Sequence, residues 1–164
     1  MEIIINIVVI ALVVSLLTFI YCNSYNKLMI NKNKATNTWA NIIKEINIRI
    51  NLLGQLNDVA SQYLDDQTKQ QVAALTQSYQ TKVSTEDVIN SYYDINKVID
   101  MILAKLNNEE WNKAFSDSFN RIEVLRKEYN DTILKINNLV KMFPTSLIAK
   151  VNSITPWIFF RGIE

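Results

Sequence analysis

An uninterrupted apolar run near the start of the chain constrains the fold more than any other feature. It extends from Ile3 to Tyr21, which is nineteen residues without a charged side chain. Its polar interruptions are Asn6, Ser15 and Thr18. A helix needs about 20 such residues to cross a hydrocarbon core roughly 30 Å thick. The run therefore predicts a membrane-spanning helix, with residues 1–24 as the anchor of a small protein.

The residues that flank the run indicate whether it is retained and how it is oriented. A secretory signal begins with basic residues and ends at a small-residue cleavage site. This chain begins Met1-Glu2, and no such site follows the run. Lys27, Lys32 and Lys34 come directly after it, and positive residues favour the cytoplasmic side. The pattern predicts an uncleaved single-pass anchor with the following domain in the cytoplasm.

The chain has one cysteine, Cys22, at the predicted membrane edge. This position suits S-palmitoylation or lipoprotein attachment. The bulky residues Phe19-Ile20-Tyr21 ahead of it fit lipoprotein processing poorly, and an unmodified interfacial cysteine is the simpler alternative. The sequence leaves lipidation of Cys22 open.

Composition favours helices and disfavours several classes of function. Only 2 residues are glycine and 2 are proline, so the turns that a sheet protein needs are scarce. Histidine, the commonest metal ligand and neutral-pH general base, is absent. The net charge is +1 with no basic block, which disfavours a nucleic-acid surface. We found no phosphate-binding loop, zinc motif or nucleophile elbow, so the sequence predicts neither an enzyme nor a cofactor.

Apolar residues recur at helical spacing through the rest of the chain, which predicts four further helices. The first covers residues 27–63 and can continue directly from the anchor, since no breaker separates them. The second ends near residue 80, the third covers about 85–106, and the fourth ends at Phe143 before Pro144. The predicted fold is all-α: a transmembrane helix, then an antiparallel up-and-down bundle of about four helices, two of them long, over residues 25–144.

The tail, residues 145–164, is rich in aromatic residues. In an up-and-down bundle the fourth helix would carry the chain back toward the bilayer. Trp157, Phe159 and Phe160, followed by Arg161, are typical of a membrane interface. The alternative is that these aromatic side chains close the open end of the bundle.

Two arginines, Arg49 and Arg126, interrupt the apolar stripes of two helices. A charge inside a bundle is costly unless it is paired. The candidate partners are Glu45, Asp94, Glu123 and Asp131. One interpretation is an internal polar network of Arg49, Arg126, Asn130 and Asp131, or a site for a small anionic ligand. The other is an edge position at which the arginine stem packs and its head reaches water.

Two segments of the chain resemble the LemA family of bacterial membrane-anchored proteins. The residues that carry the resemblance are Tyr25-Asn26, Trp39, Arg49, Arg126, Tyr129-Asn130-Asp131 and Phe143-Pro144. The resemblance implies a bacterial cell membrane location, an N-terminal membrane helix and an antiparallel bundle, with no established activity, cofactor or catalytic residue. The chain departs from the family pattern at Asn51, Gly54 and Gln55, where the family usually has Asp, Pro and Asn. Residues 61–118 show no family motif.

The predicted function is that of a membrane-anchored, non-enzymatic helical bundle acting through protein contacts, as a scaffold or adaptor at the cell envelope. The expected partners are the membrane and either another protein or a second copy of the chain, since a long amphipathic helix can pack on its own copies. One alternative is a sensor that binds a small anionic ligand near Arg49 and Arg126. Another is membrane remodelling by the aromatic tail. No cofactor, metal or nucleic acid is expected.

Overall fold

The computed structural model describes residues 1–82 and 84–161. This part of the chain forms five α-helices and no strand. The helices are α1 (Glu2–Ala60), α2 (Asp66–Gln80), α3 (Thr85–Leu106), α4 (Glu109–Lys141) and α5 (Thr145–Val151). The prediction of an all-α protein with a long apolar N-terminal helix is confirmed. The short helix α5 was not predicted, because its residues were assigned to the tail.

Helix α1 joins the apolar run and the first amphipathic stripe in one helix of 59 residues. The expected continuity between the anchor and the first bundle helix is therefore confirmed. Every side chain from Met1 to Asn23 is exposed. An 18-residue window of α1 has a mean hydropathy of 3.0 and is 0% buried, so the helix is long and apolar enough to cross a membrane.

Local capping explains where α2, α3 and α4 begin. Asp65 accepts a 2.7 Å hydrogen bond from the Thr68 backbone N–H, and Ser84 accepts one of 3.1 Å from Asp87. Asn108 accepts from the second and third amides of α4, those of Glu110 and Trp111, at 3.0 and 3.1 Å. The Thr68 N–H and hydroxyl, with Lys105, hold the pKa of the Asp65 carboxyl well below its usual range.

The chain packs as two compact units. The anchor unit comprises Met1–Asn37 and Asn130–Trp157, and the core unit comprises Thr38–Tyr129 and the tail from Ile158 onward. Residues 145–164 were expected to form a separate tail. The structure instead divides their described part between the two units, while residues 162–164 lie outside it.

In the anchor unit, helix α5 and the residues after it pack on α1 and α4. Leu28, Leu139, Ala149 and Ile154 form one apolar cluster. Asn137 holds the end of this segment: its Nδ2 donates to the Trp157 carbonyl at 3.0 Å, and its Oδ1 accepts from the Trp157 N–H at 2.8 Å. Residues 145–157 are therefore a packed part of the fold.

The core unit buries one apolar face from each of its four helical segments. Its largest fully buried side chains are Ile42, Ile46, Leu53, Leu56, Tyr92, Ile95, Ile99, Ile102, Phe115, Tyr129 and Phe160. Most of them recur at intervals of three or four residues, which places them on one side of each helix. This packing fixes the positions of the polar groups that interrupt it.

Candidate ligand-binding site

Arg49 lies on the buried face of α1, between Ile46 and Leu53, and is only 3% exposed. Its Nε donates to Asn96 Oδ1 of α3 at 2.7 Å. One terminal nitrogen donates to the Phe115 carbonyl of α4, also at 2.7 Å. The guanidinium carbon lies 5.2 Å from the centroid of the Phe115 ring, within cation–π range. Three helices of the core unit therefore meet at one buried cation.

Arg49 forms no ion pair within residues 1–82 and 84–161. Its hydrogen bonds go to Asn96 and to the Phe115 carbonyl, which use two of the five N–H donors of an arginine. Burial lowers the pKa of Arg49, while electrostatic interactions with Tyr92 and Asp100 oppose that shift. Arginine stays protonated even so. The site therefore holds a positive charge with N–H donors that the protein does not use.

A cleft of about 320 Å³ lies beside the guanidinium. It is lined by Arg49, Asn96, Asp100, Leu103, Asn112, Phe115, Ser116 and Phe119. Small-molecule sites span roughly 300–1,000 Å³ and combine apolar walls with a few polar groups. The cleft combines both kinds of lining, since Leu103 and the two phenylalanines line it together with five polar residues.

Asn96 and Tyr92 extend the polar cluster around Arg49 within α3. Asn96 is 5% exposed and its Oδ1 accepts from Arg49. Burial raises the pKa of Tyr92, while a side-chain hydrogen bond from Asn96 and the charge of Arg49 oppose that shift. The Tyr92 hydroxyl therefore stays protonated at neutral pH beside the Asn96 amide.

Arg126 has a different environment from Arg49. Its Nε and a terminal nitrogen bind the carboxylate of Glu123, one turn earlier in α4, at 2.9 and 2.7 Å. Another nitrogen reaches the Phe160 carbonyl at 3.4 Å. The Glu123 hydrogen bonds raise the pKa of Arg126. Its charge is therefore neutralised locally by one of the predicted partners.

The predicted network of Arg49, Arg126, Asn130 and Asp131 needs correction. Arg49 bonds to Asn96 and the Phe115 carbonyl, whereas Arg126 bonds to Glu123 and the Phe160 carbonyl, and the hydrogen bonds described here share no residue. Asn130 and Asp131 belong to the anchor unit, and Asp131 is exposed to solvent. The two arginines therefore use different acceptors: those of Arg49 lie on α3 and α4, whereas Glu123 lies on the helix of Arg126 itself.

The three aromatic residues of the predicted tail differ in how deeply they are buried. Phe160 is fully buried in the core unit, with its ring centroid 5.5 Å from that of Tyr92 and 6.1 Å from that of Trp39. The interface prediction is therefore wrong for Phe160, since a side chain enclosed by protein cannot meet lipid. Phe159 is 39% exposed, and Trp157 is half-buried beside Asn137.

Sequence reasoning missed Asn96 and Phe115. Asn96 lies four residues after Tyr92 and three before Ile99, so it falls on the apolar stripe of α3. That spacing was a usable signal, but asparagine is so frequent here that it did not stand out. Phe115 contributes its backbone carbonyl, and no side-chain pattern reveals such an acceptor.

Comparison with models of protein families, with curated proteins and with solved structures finds no match to this chain. The resemblance to the LemA family therefore stays a prediction. No group of three or more His, Cys, Asp or Glu side chains in the described part of the chain could hold a metal ion.

Proposed function

We propose that this protein is a membrane-anchored, non-enzymatic helical bundle of LemA type that binds a small anionic ligand in the cleft beside Arg49. The observation that carries the proposal is that Arg49 is 3% exposed, lines a cleft, uses two of its N–H donors within the protein and forms no ion pair in the described residues. A buried charge of this kind is costly unless it is compensated. A carboxylate or phosphate ligand would compensate it with short, charge-assisted hydrogen bonds.

The exposed first part of α1 supports the membrane anchor. Its side chains from Met1 to Asn23 are exposed and predominantly apolar. Apolar surface left in water costs about 25 cal/mol per Å², whereas a bilayer core solvates it. Lys27, Lys32 and Lys34 support a bundle on the cytoplasmic side of a bacterial cell membrane.

The lining of the cleft restricts the class of ligand. Arg49 and the Asn96 amide can donate to an acidic group, and Phe115 and Phe119 offer an apolar wall. Asp100 lines the same cleft and would repel a second acidic group, but it can accept from a hydroxyl or an amine. Small organic acids with a hydroxyl or amino group therefore fit better than polyanions.

Thermal unfolding of the full chain in detergent tests this function. The probes are inorganic phosphate, acetate, lactate, glycine and glutamate. A ligand that binds only the folded state stabilises it by about 2.7 kcal/mol at 100 times its dissociation constant. We expect one or more of these acids to raise the Tm and Arg49→Met to abolish the rise.

Arg121→Met is the matched control, because Arg121 is a half-exposed arginine paired with Glu45 at 2.9 Å and lies outside the cleft lining. It should keep the full ligand response. Arg49→Met leaves Asn96 Oδ1 and the Phe115 carbonyl without their donor, at a cost of about 1–3 kcal/mol, so the ligand response is compared as the shift in Tm relative to each variant without ligand. No shift with any probe, or an equal shift in Arg49→Met, would contradict the proposal.

A second candidate function, contact with a protein partner or a second copy, is favoured by a surface groove of about 430 Å³ on the core unit. It is lined by the exposed Val124, by Leu125 and by the Glu45–Arg121 ion pair. Apolar residues accompanied by charged ones at a surface groove are compatible with a protein interface. A photo-crosslinking residue at position 124 should trap a reproducible product in intact membranes. Recovery of the monomer alone would remove this candidate.

A further inference from the structure

An exposed apolar patch lies where α4 passes into α5 in the anchor unit. Its members are Met142, Phe143, Leu147 and Val151, with exposures of 61, 80, 55 and 77%. We infer that this patch, hereafter the lipid patch, docks on the surface of an anionic bilayer beside the point where α1 enters it. The inference rests on the proposed membrane span.

Helix α5 has an apolar outer side as well as an apolar inner side. Ile148 and Ala149 are buried, and Ala149 belongs to the cluster that holds α5 in place. Leu147 and Val151 lie one turn apart and are exposed. Exposed apolar residues grouped in this way mark interaction surfaces on proteins. The outer side of α5 is therefore available for an apolar environment.

The position of α5 along α1 points to lipid. Ala149 shares its cluster with Leu28, which lies seven residues after Tyr21, the last residue of the apolar run. Seven residues span about 10 Å of helix axis. The polar layer of a leaflet is roughly 5–8 Å thick. If Tyr21 marks the edge of the hydrocarbon core, α5 lies directly against the headgroup layer.

The net positive charge of the anchor unit favours an anionic membrane surface. Its lysines are Lys27, Lys32, Lys34, Lys135, Lys141 and Lys150. Its acidic residues are only Glu2, at the far end of the apolar run, and Asp131. Lys141 and Lys150 directly flank the lipid patch. Basic residues beside apolar ones are the pattern of helices that lie in the interface of anionic membranes.

Site-directed fluorescence quenching of the full chain in liposomes tests the inference. The liposomes contain phosphatidylcholine and phosphatidylglycerol, and Cys22→Ser provides the background for single labels. A fluorophore on Val151→Cys should be quenched by lipids with a nitroxide near the headgroup and should resist aqueous iodide. A fluorophore on Val124→Cys is the matched control: this exposed valine lies on the core unit and should be quenched by iodide.

A third label, on Leu12→Cys inside the apolar run, separates this inference from the proposed span. Quenching of this label by deep nitroxide lipids confirms the span independently of α5. If it is quenched and the Val151 label responds to iodide as the Val124 label does, the lipid patch is disproved while the span stands. Protection of the Val151 label from iodide without quenching by lipid would also overturn the inference, because a second copy would then cover the patch.

Discussion

Arg49 Nε donates a 2.7 Å hydrogen bond to Asn96 Oδ1, which joins α1 to α3 inside the core unit. The same guanidinium binds a backbone carbonyl of α4. One side chain thus joins three helices, and it forms no ion pair with a carboxylate of the described residues. Stability and the proposed ligand binding therefore involve the same group.

Replacing Asn96 with alanine should destabilise the protein. It removes the acceptor of the Arg49 Nε and leaves that N–H buried and unpaired, at a cost of about 1–3 kcal/mol. Urea unfolding of the chain in detergent measures the free energy of unfolding. Asn90→Ala is the control, because Asn90 is an exposed asparagine of the same helix. The double variant Arg49→Met/Asn96→Leu should recover much of the loss, and equal costs at residues 90 and 96 would contradict the assignment.

Phe160→Ala should be among the most destabilising changes in the tail. The ring is fully buried among Trp39, Tyr92 and Tyr93, and its loss leaves a cavity. A buried phenylalanine truncated to alanine costs about 3–5 kcal/mol. Phe159→Ala, next to it and 39% exposed, should cost less than about 1 kcal/mol. Thermal and urea unfolding compare the two, and a larger loss at residue 159 would place the wrong aromatic in the core.

Tyr129 should make the protein sensitive to high pH. Burial raises its pKa from 10.0 to about 12, and its hydroxyl donates to the Ile158 carbonyl at 3.2 Å. Because the folded pKa is raised, the stabilisation is complete below pH about 10 and is lost as the pH rises toward about 12. At about 1.4 kcal/mol per pKa unit, the loss reaches about 2–3 kcal/mol. Tyr129→Phe should flatten the decline in unfolding free energy over this range, and an unchanged slope would refute the prediction.

Asp65 should make the start of α2 sensitive to acid. Hydrogen bonds from Thr68, with Lys105, hold its pKa well below the usual range. Since the folded pKa is depressed, the stabilisation is present above the unfolded pKa of about 4 and is lost as the pH falls through the folded value. The hydrogen-exchange protection factors of amides in α2, which are corrected for the intrinsic pH dependence of exchange, should fall at low pH in the wild type. Asp65→Asn should weaken this dependence, whereas Asp66→Asn, at a highly exposed neighbour, should preserve it.

The sequence predicted the helices well because the residues that cap a helix, and those that form its apolar stripe, lie close together in the chain. Asp65, Ser84 and Asn108 each cap the helix that directly follows them, and Glu123 was a candidate for Arg126 because it lies one turn away. Helix α5 gave no such signal. It begins at Pro144 without a side-chain cap, and it is held by contact of Ala149 with residues far away in the sequence.

The site around Arg49 was predicted only in part for the same reason. The spacing of α1 placed Arg49 on the apolar face, which was correct. Its acceptors lie 47 and 66 residues further along the chain, and one is a main-chain carbonyl. The spacing of apolar residues along a helix gives no information about a partner so far away in the sequence. Burial of Phe160 was equally hidden, since an aromatic residue near a membrane suits either lipid or a protein core.

The side-chain amide of Asn137 forms hydrogen bonds with both the carbonyl and the N–H of Trp157, as the backbone of a neighbouring β-strand would. Only a side chain that carries a donor and an acceptor in one plane can do this. An aspartate there could accept but not donate, and a leucine could do neither. The position of the C-terminal segment at Trp157 therefore depends on the planar side-chain amide of Asn137, which lies twenty residues earlier on α4.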